Sequence, residues 1–396
     1  MLGKKTIEDI DVRRKRALVR VDYNVPLDSE GNVTDNTRIK LSLSTIKYLI
    51  DKEAKIILMS HLGRPKGKVN EKFKLDPAAK ELEKLISKKV KKFDEIFSPD
   101  IKKYINDRMD FGDIVLLENL RFDIGEKSND RQFAKSLASL ADIFVNDAFG
   151  AAHRAHASVV GVTEFLPSVA GFLMKKEVEI LTSLLQSPSR PFIAVLGGSK
   201  VSGKIKVIRN LLGKVDSLML GGGMSYTFLK AKGYEVGKSI CEDEQMSYAR
   251  EMLKLAEKNN VNFILPVDIV AAKEYDSDSD RKVVSVQSIP VDWMGLDIGK
   301  KSIELFNKEI SKAETIFWNG PVGVFEWKNF ENGTRSIAKA IAESQAITVA
   351  GGGDTLAALK KYNLSSKFCH VSSGGGASME LLEGKELPGV ASLMDK

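Results

Sequence analysis

The stretch IAVLGGSKVSGK (193–204) decides how this chain is read. Four apolar residues run into two glycines and then into a segment carrying Lys200 and Lys204. A run that short, broken by glycines, is the pattern of a buried strand ending in a turn that opens a helix. The turn also holds a false lead. Gly198, Gly203 and Lys204 match the start of G-x-x-x-x-G-K-[ST], but the next residue is Ile205, so the hydroxyl a P-loop offers to a metal is missing. A P-loop is excluded, and a glycine turn with two lysines remains. Four residues apart, Lys200 and Lys204 share one face if the segment is helical, where both suit phosphates as point charges. The competing reading is a pair of solvated surface lysines.

The same style recurs through the second half in LMLGGG (218–223), ITVAGGGDT (347–355) and HVSSGGG (370–376). Strands are expected at Phe192–Leu196, Ser217–Leu220, Asn262–Leu265, Thr315–Trp318, Ala346–Ala350 and Lys367–Val371. In the first half, similar runs end in arginine, histidine and asparagine instead: ALVRVDYN (17–24), IILMSHLGRP (56–65), IVLLENLRF (114–122) and IFVNDAFGAAHRAH (143–156). Their strands are expected at Ala17–Val21, Ile56–Met59, Ile114–Leu117 and Ile143–Val145. Between strands lie segments with helical apolar spacing, such as DPAAKELEKL (76–85), with Asp76 as N-cap and Pro77 at the first helical position. Short apolar strands alternating with helices imply parallel sheets covered on both faces. The fold class is therefore α/β, with two similar-sized doubly wound parallel-sheet (Rossmann-like) domains. LMKKEVEILTSLL (173–185) has helical spacing and stops before SPSRP (187–191), which suits either a connecting helix or one more packing helix.

Composition narrows the function classes. At 396 residues the chain exceeds a comfortable single core. The 60 Lys and Arg against 53 Asp and Glu are dispersed, so the small basic excess does not call for nucleic acid. The two cysteines, Cys241 and Cys369, form neither a disulfide framework nor a metal cluster, as in a cytoplasmic protein. No apolar stretch approaches the ~20 residues that span a bilayer. The acidic DSDSD (276–280) lacks the glycine and terminal glutamate of a calcium loop and reads as a solvated turn.

The two halves suit different anions. Glycine turns at strand ends let backbone N–H groups approach phosphate oxygens. Within them, Asp354 reads either as a helix N-cap or as a ligand of nucleotide-bound Mg²⁺, and Glu326, closing WNGPVGVFE (318–326), as a ribose acceptor or a surface turn. The first half gathers Arg20, Arg38, Arg64, Arg121 and Arg154 with His61 and His153. Guanidinium groups recognise carboxylate and phosphate in bidentate fashion, which lysine does not. Asp22 and Asn24 add acceptors for a substrate hydroxyl. Arg20, inside its strand, fits a structural ion pair equally well. His153 and His156 are three apart, but no further ligand at metal spacing accompanies them.

Taken in order, RVDYNVP, SHLGRPKG, ENLRF, FGAAHRAHAS, LGGSKVSGKI, FWNGPVGVFE, GGGDT and HVSSGGGASMELLEGKELPGV resemble the signature segments of the phosphoglycerate kinase family and cover the chain nearly end to end. The resemblance implies a reversible kinase of glycolysis and gluconeogenesis that moves a phosphoryl group from 1,3-bisphosphoglycerate to ADP, giving 3-phosphoglycerate and MgATP. It implies a 3-phosphoglycerate-binding domain at 1–172, an inter-domain hinge helix at 173–188, a nucleotide-binding domain at 189–379, and a segment 380–396 returning to the first domain. By motif, it assigns 3-phosphoglycerate to Asp22, Asn24, Arg38, His61, Leu62, Gly63, Arg64, Arg121 and Arg154. It assigns the nucleotide to Lys204, Gly295, Glu326, Gly352, Gly353, Asp354 and Thr355, with Asp354 on Mg²⁺. Arg38, Lys200 and Lys204 are the implied catalytic residues. A cytoplasmic monomer acting on small molecules, with no nucleic acid or membrane partner, is expected. The sequence departs from the family pattern at Ser199 (usually alanine), Gly203 (aspartate), and Ala151 and Ser373 (threonine). Gly203 creates the false P-loop match and is expected to loosen the turn holding Lys204.

No carboxylate base is evident, and this chemistry needs none. The nucleophile is an ADP phosphate oxygen in one direction and a carboxylate in the other, both already anionic, so positioning and charge neutralisation carry the transfer. Ligands held on separate domains further require closure that excludes water. Two rivals lack their signals: a nicotinamide dehydrogenase needs GxGxxG after its first strand, and a nucleic-acid-binding protein needs basic residues interleaved with stacking aromatics.

Overall fold

The computed structural model describes residues 3–396. It divides into two compact units, Met1–Glu179 with Glu386–Lys396, and Ile180–Lys385. The first is built on six parallel strands: β1 (Arg16–Arg20), β2 (Lys55–Met59), β3 (Val90–Lys92), β4 (Ile114–Leu116), β5 (Ile143–Asn146) and β6 (Ser168–Ala170). Their order is β3-β4-β2-β1-β5-β6.

Strand alternation explains why these short runs are apolar throughout. Val19, Ile56, Leu58 and Val145 face one layer, packing with helices Thr37–Asp51 and Asp76–Ile86 through Ile46 and Leu82. Their neighbours Leu18, Ile57 and Phe144 face the other, against Ile101 and Ile105 of Pro99–Asp107 and Phe133 and Leu137 of Arg131–Ala138. Both faces are dry, so no polar alternation survives in the sequence.

The helix Asp76–Ile86 corrects one expectation. Asp76 is its first residue, and Leu75 occupies the cap position without a side-chain cap. The Asp76 carboxylate turns instead to Lys92, whose buried ammonium lies 2.9 Å from Asp76, 2.8 Å from Asp94 and 2.5 Å from Glu118. These three acids stand close enough to hold a metal ion. Lys92 already supplies their counter-charge: burial works against its ammonium, but the three carboxylates outweigh it and hold its pKa above the ordinary range.

The expected helix after residue 172 is present as Phe172–Gln186. Its first N–H groups are satisfied from the first sheet's side. Thr45 Oγ1 accepts from Phe172 N at 2.9 Å, and Asp147 Oδ1 accepts from Leu173 N at 2.8 Å. Beyond the second unit, residues from Glu386 onward complete the first: Asn146 Nδ2 donates to Gly389 O, Gly389 N to Ala152 O, and Lys5 N to Met394 O.

The second unit contains β7 (Phe192–Leu196), β8 (Ser217–Leu220), β9 (Asn262–Ile264), β10 (Asp268–Ala272), β11 (Arg281–Ser285), β12 (Met294–Ile298), β13 (Thr315–Asn319), β14 (Ile347–Ala350) and β15 (His370–Val371). Six of these pair in parallel in the order β15-β14-β13-β7-β8-β9. Counted along the chain, that is 3-2-1-4-5-6, the doubly wound order of dinucleotide-binding folds. The expected strand at 367–371 is only two residues, because Ser365–Lys367 forms a 3₁₀ turn. A separate antiparallel sheet, β11-β10-β12, was not expected from the sequence. Among the described residues, no helix is long and apolar enough to cross a membrane.

Candidate active site

In each doubly wound sheet the strand order reverses at one point, and the crevice beyond the carboxyl ends there is the natural ligand site. In the first unit this point lies between β1 and β5. The segments leaving β1, β2, β4 and β5 carry most of the arginine, histidine and asparagine singled out above.

Arg38, in the first turn of Thr37–Asp51, donates through Nη1 to Asp22 Oδ2 at 2.6 Å. Asn24 Oδ1 accepts from Gly63 N at 2.9 Å. Arg121 sits in the turn Leu120–Phe122, fixed because Asn119 Oδ1 caps Arg121 N while Asn119 Nδ2 donates to Leu62 O. Arg121 Nη1 donates to Gly63 O at 2.8 Å, and its Nε is buried without a hydrogen-bond partner. Gly63 has φ +63°, and a Cβ there would stand 2.3 Å from the Phe73 ring, so only glycine fits this turn.

The electrostatics are those of an anion pocket. Burial pushes Asp22 up, but the guanidinium groups of Arg38 and Arg20 outweigh it and hold the carboxyl below its ordinary pKa. Desolvation, then the charges of Arg20 and Arg154, push Arg121 down to about 10, with Glu126 and Asp22 opposing. A cation so destabilised is stabilised by an incoming anion. Burial and the neighbouring Arg20, Arg121 and Arg38 drive His61 well below its ordinary value against Asp22, so its ring is neutral. Arg20 itself is fully buried and donates from Nη2 to His61 Nδ1 at 2.9 Å. The structural role for Arg20 is therefore the one that fits. Asp22, Asn24, Arg38, His61, Leu62, Gly63 and Arg121 are drawn into one hydrogen-bonded and charged set. Arg154 is exposed and joins it through its charge on Arg121, while Arg64 is exposed on the same turn as His61. His156 pairs with Glu126 at 3.6 Å, not with a metal site.

In the second unit the reversal lies between β7 and β13, and Lys204 fills it. Its Nζ donates to Gly197 O at 2.5 Å, just past β7, and to Asn319 O at 2.8 Å, at the end of β13. Desolvation pushes Lys204 down to about 7, with Asp354 opposing. The two lysines do not share a helical face. Ser202–Lys204 is a 3₁₀ turn and Lys204 stands at the cap position of Ile205–Leu211, so Lys200 lies outside the helix and is exposed. Glu242 pins this turn, accepting from Ser202 N at 2.9 Å and Ser202 Oγ at 2.6 Å.

Two cavities adjoin at Gly198, Ser199 and Asp354. One, of 470 Å³, is lined by Lys200, Lys204, Gly352, Gly353, Asp354, Thr355 and Gly375. Helices Gly353–Lys361 and Gly375–Leu382 begin there, directing unpaired N–H groups at it. The other, of 620 Å³, is lined by Tyr226, Ile240, Met294, Gly295, Leu296, Val322, Val324 and Glu326, an apolar slot with a carboxylate at its mouth. A Cβ at Gly295 would lie 1.8 Å from Tyr226 Oη, so the slot wall exists because residue 295 is glycine. Asp354 is not the N-cap: Gly352, at φ +96°, holds that position, and Asp354 stands exposed in the first turn. Thr355 is buried and accepts from Gly320 N at 2.7 Å.

Sequence reasoning missed Asn319, Glu242 and Glu126. Asn319 had a signal, as the polar residue ending an apolar strand. Glu242 and Glu126 had none, lying among other charged residues.

A family model described as phosphoglycerate kinase matches residues 7–385. The chain is 54% identical over 399 residues to phosphoglycerate kinase of Dictyoglomus turgidum and 51% identical over 395 residues to that of Moorella thermoacetica, covering 100% of this chain and of each relative. Among solved structures it is similar to phosphoglycerate kinase from Coxiella burnetii, with TM-score 0.90 and 41% identity. It is also similar to that from Pyrococcus horikoshii, with TM-score 0.83 and 32% identity; each match covers 98% of both chains.

Proposed function

Because the chain belongs to the phosphoglycerate kinase family, we propose that the arginine pocket holds the phosphoglycerate and the glycine-lined cavities hold the nucleotide. The enzyme is a phosphotransferase of glycolysis that moves a phosphoryl group reversibly from 1,3-bisphosphoglycerate to ADP, giving 3-phosphoglycerate and ATP. The observation that carries the assignment of halves is Lys204, a desolvated ammonium at the reversal point beside a phosphate-sized cavity that adjoins an apolar slot.

In this assignment Arg38, Arg121 and Arg154 neutralise the phosphate and carboxylate of the three-carbon acid, with Arg64 at the rim. Neutral His61, Asn24, Asp22 and the Leu62–Gly63 backbone orient it. The base stacks in the slot at Gly295, and Glu326 accepts from the ribose hydroxyls. The Gly352–Thr355 turn, through its N–H groups, cradles the phosphates. Arg38, Lys200 and Lys204 offset charge on the transferring group, and since both nucleophiles are anions no side chain need remove a proton. The donor set fits Mg²⁺ that arrives with the nucleotide: one exposed carboxylate, Asp354, stands at the phosphate turn, and Mg²⁺ takes one or two carboxylates beside phosphate oxygens. Bound there, Mg²⁺ would neutralise phosphate charge. The domain assignment is 1–172 for the phosphoglycerate, 189–379 for the nucleotide, 173–188 as the connecting helix and 380–396 as the returning segment, of which Glu386–Lys396 belongs to the first unit. We further propose a cytoplasmic monomer, the isolated cysteines suiting a reducing compartment.

A coupled assay for ATP-dependent consumption of 3-phosphoglycerate tests these roles. Arg38→Ala and Lys200→Ala each lower kcat by roughly 10²–10⁴ fold with folding intact, as groups contributing ~3–5 kcal/mol to the transition state. Near-normal turnover in either variant removes that residue from catalysis.

A further inference from the structure

Among the buried acids of the first unit, Glu126 has no part in the transfer itself. Glu126 lies on the short helix Ile124–Ser128, directly after the turn that carries Arg121, and is fully buried. Its oxygens are both engaged by Ser158: Oε1 accepts from Ser158 Oγ at 2.7 Å and Oε2 from Ser158 N at 3.0 Å. Ser158 Oγ in turn accepts from Arg20 Nε at 3.0 Å, and Arg20 Nη2 meets His61 Nδ1.

The proton positions along this chain of contacts are forced. A carboxylate only accepts and a guanidinium only donates. The single hydroxyl proton of Ser158 therefore points at Glu126, which frees the oxygen to accept from Arg20. Arg20 likewise donates to His61 Nδ1, so that nitrogen carries no proton and the ring keeps its hydrogen on Nε2. We propose that Glu126 is a positioning residue of the phosphoglycerate pocket, holding Arg20 through Ser158 so that Arg20 fixes His61 as a neutral Nε2–H donor.

The charge arrangement supports this. Burying Arg20 alone would be prohibitive. Asp22, the nearer acid by sequence, is already engaged by Arg38 at 2.6 Å, and Arg38 is a substrate group. Glu126 is the counter-charge that substrate binding does not compete for. Burial pushes Glu126 up, but His156, Arg20 and Ser158 outweigh it, so it is ionised. The charged groups facing His61 are Arg20, Asp22, Arg121 and Arg38; those facing Glu126 are Arg20 and Arg121, with the His156 ring beside it at 3.6 Å. Without Glu126, Arg20 loses both its counter-charge and the oriented hydroxyl, and the Nε2–H tautomer of His61 is no longer enforced.

This inference rests on the assignment of the pocket to the phosphoglycerate. Its test is Glu126→Gln in the full-length enzyme. KM for 3-phosphoglycerate rises about tenfold while KM for ATP stays unchanged, the loss of one charge-assisted contact chain on one side of the reaction. The ring ¹⁵N signals of His61, identified among the four histidines with His61→Asn, show Nε2 protonated and Nδ1 bare in the wild type. In Glu126→Gln they show the two tautomers mixed, and Glu126→Asp moves both readouts back towards wild type. If Glu126→Gln loses thermal stability but keeps its KM and the Nε2–H signature of His61, Glu126 only supports the fold and the proposal fails. Should that variant not fold, Ser158→Ala, which retains both charges, is read the same way, and an unchanged KM there is equally decisive. Arg38→Ala separates the two levels. If it changes 3-phosphoglycerate turnover while the Glu126 and Ser158 variants do not, this inference alone falls; if it changes nothing, the pocket assignment falls first.

Discussion

Lys204 should make nucleotide binding take up a proton. With its ammonium desolvated to a pKa of about 7, only about a tenth of the free enzyme carries that proton at pH 8, against about nine-tenths at pH 6. Phosphate oxygens entering the adjoining cavity restore a pKa near the ordinary ~10.4. Binding of MgADP then takes up about 0.9 proton at pH 8, about 0.5 at pH 7 and about 0.1 at pH 6. By linkage, Kd for the nucleotide rises towards about tenfold per pH unit above pH 7. Isothermal titration calorimetry in buffers of different ionisation enthalpy measures the proton count, and the same titration on Lys204→Met subtracts the titration of ADP itself. The free enzyme offers a second check. Its folded pKa lies below the unfolded value, so between about pH 7 and 10.5 the unfolded chain holds a proton that the folded chain does not. Stability therefore rises with pH across that window, and Lys204→Met loses the rise. Equal proton counts in wild type and Lys204→Met, or no greater uptake at pH 8 than at pH 6, would refute the reasoning.

Two further measurements probe other features. Gly295→Ala places a Cβ on the buried Tyr226 hydroxyl and weakens nucleotide binding by about tenfold or more by calorimetry, whereas Gly203→Ala meets nothing within 4 Å and raises unfolding stability by ~0.4–1 kcal/mol; similar effects from both would discount the close approach at Gly295. Burial raises Asp147 to about 7 despite bonds from Thr45, Met174 N and Leu173 N. The folded chain thus holds a proton between about pH 4 and 7 that the unfolded chain has released, and stability falls as pH rises through that window. Asp147→Asn removes this fall and is more stable than wild type above pH 7 by up to about 4 kcal/mol; parallel stability curves for the two proteins would contradict it.

The doubly wound sheets were legible because burial on both faces leaves a readable trace. Phe192–Leu196 is apolar at every position, and its bounds were read to the residue. β3 was invisible because VKK exposes two of its three side chains at least partly, and β11 because RKVVS shows no buried residue at all. The binding residues were legible where geometry demands a residue type at a strand end, as at Lys204 and Arg121. The spacing of Lys200 and Lys204 misled because the chain makes a 3₁₀ turn before entering the helix, and a four-residue interval has no facial meaning there. Gly203, read as loosening this turn, sits where Glu242 already ties Ser202 through two hydrogen bonds. Glu126 could not be found from sequence, since IGEKS reads as surface and its burial comes from packing against a segment about thirty residues later.

The return of Glu386–Lys396 to the first unit fixes an order of events during synthesis. Ile180–Lys385 is one unbroken stretch, so every residue it needs is translated before residue 386 is added. The first unit, although most of it is made earlier, waits for partners of Asn146, Ala152 and Lys5 that are translated only afterwards. The half of the protein that is begun first is therefore the half completed second, and until then the carbonyl and amide groups awaiting Gly389 and Met394 stay open to water and to chaperones.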